Sequence, residues 1–460
     1  MVLIENVKLV RSDRTKQYII TIAVALSGIC VGTSLTWTSP TLPQLIEKNI
    51  IVKSQECIIG SLLPLGAVIS AIPVGYLADL IGRRKTLIVS QIPILVSLAL
   101  IWLFSYNLPV LFTARFLAGM GCGAMFVSAP MYIGEIAETK IRGKLISFFE
   151  LSECIGTLLT VTLGAVVDFR LLTLILGILA TMFASLLFFI PESPTYLLKI
   201  GKTSQAVKEL KYFRGEEYAN VEKELSEMEH LLKLTKSRKT KFKDLFTTTS
   251  NRKATIASLG IMAFRQLSGI EAVMFYTVII FMNTGNNFSP YLGTIIVDTI
   301  QVCSACCAVI VIEKAERRFF LKLSSIGMGI SLAIIGAYSH SEDYIQLNVF
   351  NVELLPVLSL TMFVIAFTLG YGPVPLAVIN ELFTSEIKGK ATGLAIMVNW
   401  LFVFIVTLAF PLMNTNLGGH VTFYTFAAFM VVATVFVQLF VPETRGKTLE
   451  TIQFELGEIE

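Results

Sequence analysis

Long apolar segments, separated by short polar loops, recur along most of the chain. A transmembrane helix needs about 20 consecutive apolar residues, and twelve segments come close to that length. The predicted spans are residues 19–38, 58–78, 86–105, 109–132, 145–167, 171–190, 254–282, 291–312, 321–338, 355–380, 391–413 and 420–441. The pattern therefore predicts an all-α, polytopic membrane protein with twelve transmembrane helices. The polar start before the first span shows no small-residue cleavage site, so we expect no signal peptide.

Three short motifs occur twice, in the same order, once in each half of the chain. The pairs are GYLADLIGRRKT (75–86) with VIEKAERRFF (311–320), EIAETKIRGK (135–144) with ELFTSEIKGK (381–390), and FIPESPTYL (189–197) with FVPETRGKT (440–448). Repeats of this kind are typical of transporters built from two related bundles of helices. We expect two pseudo-symmetric six-helix bundles, residues 1–198 and 254–460, joined by a linker at 199–253.

The linker at 199–253 is rich in Lys and Glu. Its stretches SQAVKELKYF and VEKELSEMEHLLKLTK carry apolar residues at three- and four-residue spacing, which is the period of an amphipathic helix. We expect short helices that lie on the cytoplasmic surface. A solvated linker without regular structure is the alternative.

Charged residues set the orientation of the chain. Only 15% of the 460 residues are charged, whereas a soluble domain carries about 25%. If both termini are cytoplasmic, nearly all of the 37 Lys and Arg residues face the cytoplasm, and the outer loops hold only Lys48, Lys53 and Arg170. The positive-inside rule predicts this orientation, and we expect the plasma membrane. The net charge of +4 then reflects topology, and no nucleic-acid partner is expected.

Neither an enzyme motif nor a metal site is predicted. LIGRRKT lacks the glycine spacing of a phosphate-binding loop. His230, His340 and His420 are far apart in the sequence. His230 and His340 lie outside the predicted spans, and His420 is the first residue of the last span. CSACC at 303–307 has no second pair of ligands for a zinc ion, and we expect its small residues to let helices pack closely.

The repeated motifs, together with other stretches, resemble those of the sugar porters of the major facilitator superfamily. The matching stretches are GYLADLIGRRKT, RFLAGMGCGAMFVSAPMYIGEIAETKIRGK, PESPTYLL, RQLSGIEAVMFY, GYGPVPLAVINELF and PETRGKTLE. The resemblance implies a carrier that moves a neutral sugar across a bilayer by alternating access, with no cofactor and with one chain sufficient. GTSLTWTSPTL (32–42) is more similar to the insect trehalose-transporter-like branch than to the mammalian glucose carriers, so a hexose or trehalose is expected.

The resemblance also places residues that bind the substrate. The seventh helix of the family usually carries Q-Q-L-S-G-I-N. Here Gln266 matches the second Gln, Arg265 replaces the first Gln, and Glu271 replaces the Asn. Amide side chains both donate and accept, as sugar hydroxyls require, although helix-to-helix bonding is the alternative for each. The other expected contacts are Gln301 on helix eight and Asn399 and Trp400 on helix eleven.

Two further departures from the family concern the same site. Leu376 stands where the family has a Trp that lies against the sugar, so the usual stacking surface is missing. Glu150 stands where helix five has a Gln that faces the first Gln of helix seven. Because Arg265 and Glu271 would be about 120° apart on a regular helix, we expect Arg265 to pair with Glu150. The alternative is that Arg265 extends to the membrane interface.

Charges in the repeated motifs are predicted to lock the two halves together on the cytoplasmic side. In the resemblance, such residues pair when the carrier faces outward and separate when it faces inward. The candidates are Asp79, Arg83, Arg84, Glu135 and Arg142 in the first half and Glu313, Arg317, Arg318, Glu381 and Lys388 in the second. Thr195 and Glu316 depart from the family, which usually has Arg and Gly there. The alternative is that these charges only set the topology.

The stretch GYGPVP interrupts the tenth predicted span. It contains Gly370, Gly372, Pro373 and Pro375. A broken membrane helix frees backbone carbonyls beside a cavity and supplies a hinge. We expect a moving gate here, and a passive kink is the alternative.

The expected mode of transport depends on carboxylates. Proton-driven members of the family carry an Asp on helix one, whereas GTSLTW has no acid, so passive uniport is expected. Glu150, Glu153 and Glu271 keep proton symport open, since carboxylates inside a membrane relay protons. A polyol or charged substrate, indicated by Arg265, is another alternative. A sugar sensor, which binds sugar without transporting it, is the last alternative. Long cytoplasmic tails would favour a sensor, but the tails of this chain are short.

Overall fold

The computed structural model describes residues 13–138, 140–216, 218, 220–237, 242–283, 289–311, 316–344, 354–383, 387–445, 447 and 449–457. Within these ranges the chain forms α-helices and two short 3₁₀ helices, Lys53–Gln55 and Phe242–Phe246. The α-helices are α1 (Thr15–Thr36), α2 (Thr38–Glu47), α3 (Glu56–Ile81), α4 (Arg83–Phe104), α5 (Leu108–Ile136), α6 (Arg142–Gly164), α7 (Phe169–Leu186), α8 (Pro194–Lys199), α9 (Thr203–Arg214), α10 (Val221–Ser237), α11 (Thr249–Leu267), α12 (Ile270–Asn283), α13 (Pro290–Val311), α14 (Arg317–Tyr344), α15 (Leu355–Leu369), α16 (Val374–Leu382), α17 (Lys388–Asn416), α18 (Gly419–Phe440) and α19 (Leu449–Glu455).

Twelve segments in the described part of the chain are long and apolar enough to cross a membrane. Each coincides with one of the predicted spans, so the twelve-helix prediction is confirmed. The first segment, Thr15–Glu47, is longer than expected, because α1 continues through Trp37 into α2. The polar residues Thr38 and Ser39, which end the apolar run in the sequence, are buried inside the bundle.

Two other spans are interrupted near their middle. The seventh span changes from α11 to α12 after Leu267, and the tenth changes from α15 to α16 after Leu369. Gly370, Gly372 and Pro373 lie in the second interruption, as predicted. Pro375 lies instead in the first turn of α16, where proline is tolerated because its missing N–H would have no partner within the helix.

The helices pack as two groups. In the first group α1 packs against α5 and α6, and α5 also packs against α3 and α4. In the second group α14 packs against α15 and α18, and α11 packs against α17 and α18. Contacts of α3 with α17 and of α6 with α13 join the groups. Close approach needs small residues: a Cβ at Gly119 of α5 would lie 1.8 Å from the carbonyl oxygen of Leu63 on α3.

The linker helices α8, α9 and α10 pack on one another. They share a small apolar cluster that includes Leu198, Leu210 and Leu225, so the short helices expected in the linker are observed. Arg214, at the end of α9, is 1% exposed. Its Nη2 lies 2.7 Å from Glu224 Oε1, and its Nη1 donates to the Ile136 carbonyl oxygen at 2.8 Å. Arg214 therefore joins α9 and α10 to the end of α5.

Candidate functional site

A partly open cavity lies between the two groups of helices. Its apolar wall includes Phe367, Met274 and Ile270. The polar residues that line it are Thr36, Ser147, Glu150, Glu153, Cys154, Thr157, Arg265, Glu271, Gln301 and Thr368. The cavity is therefore apolar in part and carries both hydrogen-bonding and charged groups.

One face of α6 supplies an acidic wall. Glu150, Glu153, Cys154 and Thr157 follow one another at three- and four-residue spacing, which places them on one side of the helix. All four line the cavity. Among the described residues, neither the Glu150 nor the Glu153 carboxylate has a hydrogen-bond or ion-pair partner. Both side chains are thus available to whatever occupies the cavity.

Arg265 and Glu271 reach the same cavity because their span is not one continuous helix. α11 ends at Leu267, and Ser268 Oγ donates to the Arg265 carbonyl oxygen at 2.6 Å. Gly269 then turns the chain with φ of +84°, a conformation that favours glycine. The expectation of a regular helix, with the two side chains about 120° apart, was therefore wrong.

The predicted ion pair between Arg265 and Glu150 is absent among the contacts of the described residues. Arg265 Nη1 lies 3.4 Å from Asn399 Oδ1, and the guanidinium carbon lies 5.5 Å from the centroid of the Phe367 ring. The cation therefore turns toward α17 and α15, where it makes a cation–π contact. Its charge still acts electrostatically on Glu150.

Gln266, Asn399 and Trp400 lie behind the wall that lines the cavity. Gln266 Nε2 donates to Asn399 Oδ1 at 2.8 Å, which joins α11 to α17. Trp400 packs edge-on against Phe126 of α5, with ring centroids 5.2 Å apart. Of the predicted binding residues, the cavity brings together Glu150, Arg265, Glu271 and Gln301.

Several residues of the cavity were not predicted to bind the substrate, and Glu153 was predicted only as a residue that could relay protons. Glu153 has a signal in the sequence, because it follows Glu150 by three residues. Phe367 and Thr368 have none, since they look like ordinary members of an apolar span before the interruption at 370–373. Phe367 supplies a flat aromatic face, whereas Leu376, at the family's stacking position, does not line the cavity.

Charged motifs of the first half form a network at one end of the bundle, which we call the basic face. Arg83 Nη2 lies 2.9 Å from Glu135 Oε1, and Arg83 Nη1 lies 3.1 Å from Asp79 Oδ1. Glu192 Oε1 accepts the backbone N–H groups of Arg83 and Arg84, at 3.0 and 3.1 Å. The network therefore holds the ends of α3, α4 and α5 together.

The second half repeats this network. Arg317 Nη2 lies 3.2 Å from Glu381 Oε1. Glu443 accepts the backbone N–H groups of Arg317 and Arg318, at 3.0 and 2.9 Å. Glu313, the repeat counterpart of Asp79, lies outside the described residues. The two halves thus use equivalent residues for equivalent contacts.

A hydroxyl completes each network. Ser193 donates to Glu135 in the first half, and Thr444 Oγ1 donates to Glu381 Oε2 at 2.5 Å in the second. Both hydroxyl groups belong to the repeated motifs FIPESPTYL and FVPETRGKT. The repeat predicted from short sequence matches therefore extends to the side-chain contacts.

The model of the family described as sugar (and other) transporter matches residues 10–456. The chain belongs to this family. It is 34% identical over 442 residues to the facilitated trehalose transporter Tret1 of Drosophila grimshawi, and 33% identical over 444 residues to trehalose transporter 1 of Drosophila melanogaster. Each match covers 95% of the chain. The chain spans about half the length of these relatives, 47% and 51%.

Solved structures confirm the fold of the transporter. The partially occluded, inward-open xylose transporter XylE of E. coli superposes with a TM-score of 0.80 at 24% identity, covering 95% of this chain and 100% of that one. The proton:xylose symporter XylE bound to 6-bromo-6-deoxy-D-glucose gives a TM-score of 0.79, also at 24% identity, with coverages of 95% and 99%. The predicted all-α fold with twelve membrane-spanning helices is confirmed, and the family described by the matching model is one of transporters.

The two halves of the chain touch at the face opposite to the basic face. Tyr276 Oη on α12 lies 3.4 Å from the Glu56 carbonyl oxygen on α3, and the Val278 N–H donates to Ser39 Oγ of α2 at 3.4 Å. The cavity, in contrast, is lined near the basic face by Ser147, close to the start of α6, and by residues at the end of α13. The conformation is therefore closed at the opposite face and open toward the basic face.

In this conformation the acids of the basic face bind within their own halves. Glu135 pairs with Arg83, and Glu381 pairs with Arg317. The first residues of α6 and α17, Arg142 and Lys388, act on each other electrostatically across the two halves with the same sign of charge. The locking role of these charges in the opposite conformation stays a prediction.

The histidines and the cysteines of CSACC belong to the residue types that commonly bind metal ions. His340 and His420, far apart in the sequence, lie with ring centroids 5.1 Å apart, because α14 packs against α18. The cysteines at 303, 306 and 307 are exposed on the surface of α13, whereas Ser304 and Ala305 of the same stretch are buried. Within the described ranges, no group of three His, Cys, Asp or Glu side chains could hold a metal ion.

Proposed function

We propose that the transporter carries a neutral sugar, of hexose or trehalose size, down its concentration gradient. The cavity is the observation that carries this proposal. Gln301 Oε1 and Thr368 Oγ1 have no partner among the described residues, and both belong to side chains in the wall beside the aromatic face of Phe367. Sugar hydroxyls would satisfy such groups, since they both donate and accept hydrogen bonds. The names of the Drosophila relatives and the sugar derivative bound to XylE support the same substrate class.

The proposed mechanism is alternating access. The sugar enters or leaves through the basic face in the conformation described above. Closure there brings the two charged networks together, and the contacts of Tyr276 at the opposite face then separate. The interruptions at 268–269 and 370–373 allow the two halves of the seventh and tenth spans to move independently. Gly370, Gly372 and Pro373 supply the hinge, and Pro375 fixes the first turn beyond it.

The other predicted residues take roles in the same cycle. Glu150, Arg265, Glu271 and Gln301 contact the substrate in the present conformation. Gln266, Asn399 and Trp400 reach it when the halves close around it. The charges that hold the basic face shut are Asp79, Arg83, Arg84, Glu135, Arg142, Glu313, Arg317, Arg318, Glu381 and Lys388. Exposed ion pairs are individually weak, about 0–1 kcal/mol, but several together can bias two states that differ by a few kcal/mol.

We place the transporter in the plasma membrane, with both termini and the basic face in the cytoplasm. The excess of Lys and Arg on the basic face supports this orientation. One chain contains the whole cavity, so a monomer suffices for transport.

Uptake of labelled sugar tests the proposal. In a cell that lacks other sugar carriers, the transporter should equilibrate glucose or trehalose across the membrane without concentrating either. Membranes with Gln301→Leu and Thr368→Val together should show a raised KM for sugar, because two hydrogen-bonding groups are lost from the wall. Accumulation above the outside concentration that collapses with a protonophore would contradict passive uniport.

Proton symport is the second candidate. The observation that favours it is the set of three carboxylates, Glu150, Glu153 and Glu271, in the cavity wall. Carboxylates in a membrane can take up and release protons as the site changes its exposure to water. Symport predicts that an inward proton gradient raises the final sugar concentration inside the cell, whereas uniport predicts only a change in rate.

A further inference from the structure

Acidic side chains outnumber basic ones in the cavity. Glu150 and Glu153 come from α6 and Glu271 comes from α12, whereas Arg265 is the basic residue of the wall. All four side chains line the same cavity, so they surround a common space. If all four are ionised, the cavity has an excess of negative charge.

Arg265 does not compensate this charge by direct contact. Its guanidinium group lies against Phe367 and near Asn399. None of the three carboxylates has an ion-pair or hydrogen-bond partner in the part of the chain that the structure describes. An uncompensated charge inside a membrane is costly, and buried charges are normally paired. The compensation therefore comes either from protons bound by the carboxylates or from a cation that enters the cavity.

The cavity also has unused hydrogen-bonding groups that point to a hydroxylated ligand. Thr368 lines the wall, is 8% exposed, and its hydroxyl has no partner among the described residues. Gln301 Oε1 and Arg265 Nε, from two other residues of the wall, are likewise without a partner there. Buried polar groups are usually satisfied, so these groups indicate a ligand with several hydroxyl groups.

A metal ion does not fit this set of acids. Metal ligands must converge within bonding distance of one point. Within the described ranges, no three acidic, His or Cys side chains come close enough together for this. Here the carboxylates surround a space but do not meet at one point. Such an arrangement fits a larger organic cation, whose charge and hydroxyl groups are spread over several atoms.

We propose that the cavity binds a sugar bearing one ammonium group in preference to the neutral sugar of the same size. An ammonium group donates up to three hydrogen bonds and places one positive charge among Glu150, Glu153 and Glu271. The remaining hydroxyl groups of the same molecule reach Thr368 and Gln301. The inference rests on the proposed function, because it assumes that the cavity binds sugars.

Protection of Cys154 from alkylation tests the preference without requiring transport. Cys154 lines the cavity next to Glu153. Replacing the three exposed cysteines, Cys303, Cys306 and Cys307, by serine leaves Cys154 as the reporter, since the remaining three are buried. The full chain is reconstituted in lipid vesicles and treated with N-ethylmaleimide. Glucose, glucosamine and N-acetylglucosamine are compared at a pH at which the free amine is protonated.

Glucosamine should protect Cys154 at a concentration about tenfold lower than glucose, the factor expected for one charge-assisted hydrogen bond. N-acetylglucosamine, which has the nitrogen but no charge, should protect no better than glucose. In Glu153→Gln and Glu271→Gln, the advantage of glucosamine should fall to about twofold while glucose still protects. Glu222→Gln, an exposed change on α10, should keep the full advantage. If one of the two variants fails to fold, Glu150→Gln takes its place.

Three results would overturn the inference and leave the proposed function standing. They are equal protection by glucose and glucosamine, an advantage that the glutamate variants do not reduce, and protection by glucose that strengthens at low pH without any advantage of the amine. The last would show that protons supply the compensating charge. Failure of all sugars to protect Cys154 would contradict the proposed function itself, and the inference with it.

Discussion

The hydroxyl group of Tyr276 fills the space in which a side chain at Gly60 would begin. A Cβ at Gly60 would lie 2.0 Å from Tyr276 Oη. The same hydroxyl group donates to the Thr407 carbonyl oxygen at 3.2 Å. Gly60 belongs to α3 in the first half and Tyr276 to α12 in the second, so this contact closes the face opposite to the basic face. The closure depends on the absence of a side chain at one position.

Gly60→Val should therefore prevent this face from closing. Overpacking costs about 1–3 kcal/mol, and 1 kcal/mol changes the ratio of two conformations about fivefold. A membrane-impermeant thiol reagent applied from the opposite face should label Cys154 at least about fivefold faster, and sugar uptake should fall. Gly75→Val is the matched control, because it lies on the same helix and a Cβ there has no atom within 4 Å. Equal labelling in the two variants would show that Tyr276 and Gly60 do not control closure.

Because Gln266 and Asn399 share a hydrogen bond, substitutions at the two residues should affect the stability of the protein non-additively. Asn399→Leu leaves the Gln266 amide without an acceptor in a buried place, which costs about 1–3 kcal/mol. Gln266→Leu removes the other partner. The double variant should lose less stability than the sum of the single variants, by about 0.5–2 kcal/mol. Thermal unfolding of the purified protein in detergent measures the cycle, and strictly additive losses would mean that the bond contributes nothing.

Neutralising Glu381 should favour the conformation that is open toward the basic face. In the proposed cycle this carboxylate helps to hold that face shut, and one exposed ion pair contributes about 0–1 kcal/mol. Glu381→Gln should therefore speed the labelling of Cys154 from the basic face by up to about fivefold. Glu227→Gln, an exposed change in the linker, serves as the control. If the labelling rates agree, the repeated acids do not act as a lock.

Arg214 should control the attachment of the linker. It is buried, pairs with Glu224, and donates to the Ile136 carbonyl oxygen at the end of α5. Arg214→Met leaves the Glu224 carboxylate and the Ile136 carbonyl oxygen without their hydrogen-bond donor. The substitution should therefore lower the stability of the contact between the linker and α5 by about 1–3 kcal/mol. We expect faster cleavage between α9 and α10 in limited proteolysis. Lys211→Met, an exposed change on the same helix, should leave the rate unchanged, and similar cleavage of the two variants would argue against the clamp.

The sequence by itself determined the number and position of the spans, the internal repeat and the family. These properties are local: a segment of about 20 apolar residues is long enough to cross a membrane wherever it occurs, and a repeated motif is visible without coordinates. The polarity of a segment does not by itself show whether its residues are buried. Thr38 and Ser39 end the apolar run in the sequence, yet both are buried in the first membrane segment, because α2 packs inside the bundle.

The tertiary structure alone decided which side chains share the cavity. Arg265 and Glu271 face one space only because Gly269 turns the chain between them, and Arg265 meets Phe367 and Asn399 because α15 and α17 pack beside α11. Phe367 and Thr368 look like ordinary apolar-span residues until packing places them in the wall. The repeat is a second example. The sequence shows that Glu135 and Glu381 occupy equivalent positions in the two halves, but only the tertiary structure shows that each binds an arginine of its own half. Contacts between distant segments depend on how whole helices pack, and no single segment contains that information.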